Sequence, residues 1–186
     1  ASNNVAVGKS ALTTNTTGTE NTAVGKSAMN NNIGGDYNTA LGKSALYTNT
    51  SADNNTAIGN SALTANSTGA NNTAVGSAAL YANTTGASNT AVGKSAMAAN
   101  TTGSGTAIGY EALVTNTTGG DNVAVGIHAL RYNTTGGSNT AIGQNSLDAN
   151  TTASNNTAVG RHALGANSTG ANNVAIGSLT LDAATT

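Results

Sequence analysis

A period of 17 residues runs along the chain and constrains its fold more than any other feature. One unit has the consensus N-T-A-V-G-K-S-A-L-x-x-N-T-T-G-x-x, and we number its places as columns one to seventeen. The column-five glycines are Gly8, Gly25, Gly42, Gly59, Gly76, Gly93, Gly109, Gly126, Gly143, Gly160 and Gly177. Their spacing is 17 residues nine times and 16 once, between Gly93 and Gly109. Eleven units therefore fill residues 1–186, which predicts a single repeat domain without a separate catalytic domain.

The columns differ in how strictly they keep one kind of side chain. Column three is always Ala, column four is Val, Ile or Leu, and column nine is Leu or Met. Columns one and twelve are Asn in ten units each, with exceptions at Gly105 and Ala184. Columns six, seven, ten and eleven vary freely. A column that keeps its volume while its neighbours vary is expected to pack against copies of itself in adjacent units.

The unit is too short for a helical repeat and has the chemistry of strands and turns. Thr22-Ala23-Val24 alternates in side-chain size with a period of two, as a strand does. Gly25 permits a bend with positive φ, Ala28-Met29 is interpreted as a second short strand, and Asn-Thr-Thr-Gly closes the coil. We therefore predict an all-β fold, a parallel β-solenoid (β-roll) of eleven 17-residue coils with two strands in each.

Stacked coils lie about 4.8 Å apart, so eleven of them make a rod of roughly 50 Å. The Val and Leu columns are expected to fill the interior, while the Ala column keeps one wall close to its neighbour. Asn15, Asn49, Asn66 and Asn83 are expected to form a ladder of side-chain amides, each hydrogen bonded to its equivalent in the next coil.

The composition supplies only a thin core and few charges. Charged residues make up 7% of the chain and aromatic residues 3%, and Pro, Cys, Trp and Phe are absent. Association with identical chains along the small-residue face would remedy the thin core, and it predicts a homotrimer or a fibril. The net charge of −1 gives no reason to expect nucleic acid, and no apolar run is long enough to insert into a membrane. Because Ala1 begins the chain in mid-pattern, we expect a segment of a longer or processed protein.

The strings NVAVG, NTAIG and NNVAIG (Asn172 to Gly177) resemble the head-domain repeats of trimeric autotransporter adhesins. They also resemble Asn-Thr-Ala-Val-Gly repeats of large bacterial surface proteins and phage tail-fibre-like proteins. The resemblance extends over all eleven units but only five to nine residues of each, and the Asn-Thr-Thr-Gly extension departs from the adhesin pattern. It implies a trimeric fibre that is extracellular, at the cell surface or on a virion. Its implied role is structural or in attachment, with glycans of a host cell or of the environment as candidate partners.

Gly-Lys-Ser triplets at Gly8, Gly25, Gly42 and Gly93 superficially suggest a nucleotide-binding loop. That loop also needs an earlier glycine, a preceding buried strand and a long following helix, and none of these is indicated. His128 and His162 share column seven two coils apart, which is too far for one zinc ion to bind both. No recurring arrangement of acid, base and nucleophile is present. We therefore predict no enzyme activity, no cofactor and no metal.

Two smaller groups of charges leave alternatives open. Asp36 and Asp53 are expected to stack in adjacent coils, where they would make at most a poor cation cage. Lys9, Lys26 and Lys43 also stack. They would either attract an anionic surface or polysaccharide, or form a solvated row that blocks lateral aggregation, and the second interpretation is favoured.

The most regular chemical signal is a set of Asn-x-Ser/Thr glycosylation triplets in column twelve. The nine triplets begin at Asn15, Asn49, Asn66, Asn83, Asn100, Asn116, Asn133, Asn150 and Asn167. Three more begin at Asn54, Asn71 and Asn155. The alternative is that Asn-Thr-Thr-Gly is simply good turn and ladder chemistry, and a buried ladder Asn cannot carry a glycan.

The leading functional prediction is a structural extracellular fibre or adhesin shaft that presents a surface or tip for attachment. The alternative is an ice-binding β-solenoid that uses the column-two threonines Thr22, Thr39, Thr56, Thr73 and Thr90. That column changes to Val in three units, and it lacks the paired Thr-x-Thr rows expected of a flat ice-binding face. Carbohydrate binding along the rod is a third alternative, but five scattered tyrosines offer few aromatic platforms.

Overall fold

The computed structural model describes residues 1–183 and has the predicted parallel β-solenoid architecture. Ala184, the exception in column twelve, lies outside the described residues. Each coil contributes one short strand, and the strands form a single parallel sheet in chain order. They are β1 (Val5–Val7), β2 (Thr22–Val24), β3 (Thr39–Leu41), β4 (Thr56–Ile58), β5 (Thr73–Val75), β6 (Thr90–Val92), β7 (Gly105–Ile108), β8 (Asn122–Val125), β9 (Thr140–Ile142), β10 (Thr157–Val159) and β11 (Val174–Ile176).

Every strand pairs with the same columns of the next coil. Ala23 pairs with Ala40, for example, and this register persists across the 16-residue unit, where Ala91 pairs with Ala107. The missing residue is therefore absorbed in the loop before β7. Both β7 and β8 gain one residue there, because Gly105 and Asn122 join the ladder.

The core consists of columns three, eight and nine. In β5 and the turn after it, Ala74, Ala79 and Leu80 have no exposed surface, and the other inner coils repeat this pattern. The small Ala side chains bring the walls of the coil together, and one Leu or Met per coil fills the space between them.

The prediction that column four fills the interior is wrong. In the inner coils Leu41, Ile108 and Ile142 have 47%, 41% and 40% of their surface exposed, and the other members of the column are partly exposed. Successive residues of a strand point to opposite faces of the sheet, so with Ala of column three inside, columns two and four must both point outward. The three-residue pattern contained this alternation but did not indicate which face was buried.

The predicted second strand at Ala28-Met29 is also wrong. Ser27 and Met29 have φ of 57° and 49°, in the left-handed region, and columns seven and nine repeat these values in every coil. Such residues cannot continue a strand. This side of the rod is instead a stack of turns, joined between coils by bonds such as Met29 N–H to the Ala45 carbonyl at 2.9 Å.

The predicted amide ladder of column twelve is confirmed. The Nδ2 of Asn83 donates to Oδ1 of Asn66 and to the carbonyl of Gly86, both at 2.9 Å. Equivalent links run from Asn15 to Asn150. Column one forms a second ladder, interrupted at Gly105, in which the backbone amide of an Asn donates to the side-chain oxygen of the preceding Asn. Together the ladders satisfy most of the side-chain amides that the narrow coil buries, while Oδ1 of Asn89, Asn150 and Asn167 has no partner within residues 1–183.

Candidate functional site

The outward side of the eleven-stranded sheet is a regular surface that extends along the rod, and we call it the sheet face. It consists of columns two and four, which form two parallel rows about 7 Å apart. Column two is Thr in six consecutive coils from Thr22 to Thr106, and column four is aliphatic throughout. Neither column contains a charged residue. The result is an uncharged strip roughly 50 Å long and 10 Å wide.

A second surface contains arginine, histidine and glutamate side chains of the later coils. Both arginines and both histidines of the chain lie between residues 128 and 162. The carboxylate of Glu111 contacts Nε2 of His128 at 3.4 Å and Nη2 of Arg131 at 3.2 Å. Columns seven and ten therefore lie side by side across the coil boundary.

Aromatic rings join this network. The ring of Tyr110 lies 5.4 Å from that of His128, and the amine of Lys94 lies 5.7 Å from the centre of the Tyr110 ring. The guanidinium of Arg131 lies 5.1 Å from the ring of Tyr132. We call Lys94, Tyr110, Glu111, His128, Arg131 and Tyr132 the cation-aromatic cluster.

Two acidic groups in this region have shifted pKa values. Burial raises the pKa of Asp148, and the nearby charges of Arg131, His128 and His162 oppose the shift only in part. Its Oδ1 is buried without a hydrogen-bond partner, which accounts for the cost of ionising it. A hydrogen bond with Glu111, reinforced by the charge of Glu111, raises the pKa of Tyr110.

The nine column-twelve glycosylation candidates lie in the amide ladder. Those with no exposed surface are Asn49, Asn66, Asn83, Asn100, Asn116, Asn133, Asn150 and Asn167. Asn15 is half-buried, and its Nδ2 donates to the Gly18 carbonyl. A glycan would replace an Nδ2 hydrogen that the ladder uses, so the geometry weighs against these sites, and their glycosylation stays a prediction. Asn54, Asn71 and Asn155, by contrast, are exposed.

The remaining candidates are dispersed. The Asp53 carboxylate accepts from the backbone N–H of Asp36 at 2.8 Å, and the Asp36 carboxylate accepts from that of Thr19 at 2.7 Å, so both acids cap backbone amides of the preceding coil. Lys9, Lys26 and Lys43 are exposed in column six. Within residues 1–183, no three His, Cys, Asp or Glu side chains are grouped so as to hold a metal ion. The same residues include no helix long and apolar enough to cross a membrane.

The cation-aromatic cluster was not predicted from the sequence, in which the histidines and tyrosines were interpreted as separate surface residues. Their contacts depend on how the turns of columns six to eleven place side chains of adjacent coils, which no pattern of columns specifies. One signal was available, since both histidines and both arginines fall within three consecutive units. Comparisons with protein-family profiles, curated proteins and solved structures found no match to this chain.

Proposed function

We propose that this chain is a segment of an extracellular structural fibre or adhesin shaft, a stiff rod that assembles with identical chains into a homotrimer. The observation that carries the proposal is the sheet face, an uncharged strip of Thr and half-exposed aliphatic residues that extends along the rod. The strip contains a continuous row of aliphatic side chains along the rod, and contiguous exposed apolar surface often marks an interaction site.

The sheet face takes the place of the small-residue surface as the proposed interface. Ala of column three is inside the coil and is not available to a partner. Three flat faces arranged around one axis form a closed assembly in which each chain covers its strip with two neighbours. The rods then lie parallel, with their lengths and repeat spacings matched.

The proposal also includes an attachment role and an extracellular or virion location. They follow from the resemblance of the Asn-Thr-Ala-Val-Gly units to repeats of surface fibres and from a rod geometry that suits a spacer. A rod of stacked coils holds whatever it presents at a fixed distance from its base, since its length is set by the number of coils.

Charge placed in the sheet face tests the proposal. The variant with Val75→Lys and Val92→Lys puts two charges in the middle of the strip, so we expect it to be monomeric in sedimentation while it keeps the circular dichroism of the parent. Ser77→Lys is the matched control, because Ser77 is exposed in column six of the same coil. We expect that variant to assemble like the parent. Equal masses for the column-four variant and the parent would refute the proposed interface.

Ice binding is the second candidate function, and one observation favours it. The six consecutive threonines of column two point outward in register on the parallel sheet. The parallel row of column four supplies methyl groups where a second Thr row would be expected. Thermal hysteresis of the purified chain distinguishes the two functions. Hysteresis that a Thr56→Lys, Thr73→Lys variant abolishes would favour ice binding, whereas a trimer without hysteresis would favour the fibre.

A further inference from the structure

We propose that the cation-aromatic cluster, together with exposed Arg161, binds a strand of acidic polysaccharide along the side of the rod. This inference rests on the proposed function, since it gives the attachment module a binding surface and a ligand class. It concerns a different surface from the sheet face, because none of its residues belongs to column two or column four.

The side chains of column six form one exposed row beside the cluster. Column six follows the glycine corner that ends each strand, and from coil six to coil ten it contains Lys94, Tyr110, Ile127, Gln144 and Arg161. All five are exposed, and the row from the first to the last is about 19 Å long at one coil per 4.8 Å. An extended ligand that lies parallel to the rod axis can contact all of them, and covering the sheet face leaves the row open.

The charges on this side of the rod favour an anionic ligand. The Glu111 carboxylate is held by Arg131 and His128, and Asp148 is half-buried with Arg131 and both histidines nearby. Glu111 is thus paired with cations of the cluster and Asp148 is partly buried, whereas the cations at the two ends of the row, Lys94 and Arg161, are exposed. In a chain with net charge −1, this side offers positive charge to a ligand with carboxylates or sulfates.

Two exposed aromatic rings of the cluster favour a sugar as the ligand. Tyr110 and Tyr132 have 40% and 46% of their surface exposed, and cations and an imidazole hold their rings in place. An exposed tyrosine offers an apolar ring face for the C–H groups of a sugar and a hydroxyl for its polar edge. The other column-six cations, Lys9, Lys26 and Lys43, have no ring contact in the described part of the chain. A surface with exposed rings beside cations therefore suits an acidic sugar chain better than it suits a simple anion.

Calorimetric titration with an alginate hexasaccharide, a linear oligomer of uronic acids, tests the inference. Laminarihexaose, which is neutral, is the control ligand, and sedimentation of the same samples reports the assembly state. We expect the parent chain to bind the uronate oligomer and not the neutral one, with weaker binding at high salt. We expect the Tyr110→Ala, Arg161→Gln variant to bind about tenfold more weakly, as is typical when a charged hydrogen bond is lost.

The matched control is the Lys26→Gln, Lys43→Gln variant, which loses two charges from the same column on coils without the rings. We expect its affinity to equal that of the parent. Equal weakening in both variants would show attraction to charge in general and would overturn the assignment. A trimer that binds no uronate would overturn this inference alone, whereas a monomeric parent would overturn the proposed function by itself. A Lys94→Gln, Arg161→Gln variant, which leaves every aromatic ring in place, is the alternative if Tyr110→Ala alters the circular dichroism.

Discussion

At the scale of single residues, the column-five glycine is the position where substitution is least tolerated. Gly93 has φ of 139°, and a Cβ added there would clash with the carbonyl oxygen of Gly109 in the next coil. Both its own backbone and the stacking of coils therefore exclude a side chain. The same two constraints recur at every column-five glycine from Gly8 to Gly160.

Gly93→Ala is expected to lower the free energy of unfolding by about 3 kcal/mol, because Ala is strained at this φ and its methyl group separates two coils. Gly120→Ala is the control. There the new Cβ would lie 3.4 Å from the Ser104 hydroxyl oxygen, an ordinary contact, and φ is not positive. Urea unfolding of both variants checks the prediction, and equal stabilities would contradict the stacking argument.

Asp148 makes stability depend on pH. Its folded-state pKa is raised, so between the unfolded and folded pKa values the folded chain binds more protons. The free energy of unfolding therefore falls as pH rises through that window and stays lower above it. We expect Asp148→Asn to be more stable than the parent at pH 7, by less than about 1 kcal/mol because the group is half-exposed. The difference should vanish below the unfolded pKa of aspartate, about 3.9. A less stable variant at pH 7 would show that attraction to Arg131, His128 and His162 outweighs desolvation.

At the scale of structural elements, two kinds of stack hold the coils together. One is the parallel sheet, and the other is the amide ladder of column twelve beside the turns. Each ladder Asn donates to the preceding coil and to a carbonyl three residues ahead, so it ties two coils together and also closes its own turn. Turns and coil stacking are thus stabilised by the same side chains.

Asn83→Ala is expected to lower the free energy of unfolding by about 3 kcal/mol. It leaves Asn66 Oδ1 without its donor and Asn100 Nδ2 without one acceptor in a buried column. Asn60→Ala changes an exposed column-six side chain and is expected to be neutral. Thermal unfolding of the pair measures the difference. If Asn83→Ala proved as stable as Asn60→Ala, water or a shifted turn would be replacing the ladder.

The sequence predicted those parts of the fold that depend on one column stacking on itself. The predicted features were a glycine bend in column five, an amide ladder in column twelve and a close wall of Ala in column three. Each of these columns keeps one type of side chain while the neighbouring columns vary. The direction of column four and the turn at Ser27 and Met29 were not predictable in this way, since a three-residue alternation and a small-residue pair are each compatible with two geometries. Contacts such as that of Glu111 with His128 depend on those turns, so the cation-aromatic cluster could not be predicted either.

At the scale of the whole molecule, the rod is a one-dimensional stack in which, over residues 1–183, each strand contacts only the strands of the adjacent coils. Stability in such a structure is approximately a sum over coils and over the interfaces between them. The 16-residue unit shows that the stack tolerates a missing residue in a loop, provided that the strands and ladders stay in register.

Deletion of residues 73–89 removes one full coil and rejoins Asn72 to Thr90. We expect this variant to keep its circular dichroism, to be about 4.8 Å shorter and to unfold at a slightly lower temperature. Deletion of residues 73–80 removes half a coil and takes columns two to nine, including the strand and the core residues, out of one coil. We therefore expect loss of the β signal. If both deletions behaved alike, the independence of the coils would be refuted.

The most direct test of the central claim, that the uncharged sheet face is an interface between identical chains, is small-angle X-ray scattering of the unaltered chain over a range of concentrations. One profile reports both mass and longest dimension. The homotrimer predicts a mass of about 54 kDa, three times the chain mass of 17.9 kDa, with a length near 50 Å that the assembly leaves unchanged. A mass of 17.9 kDa at all concentrations, with the same length, would contradict it.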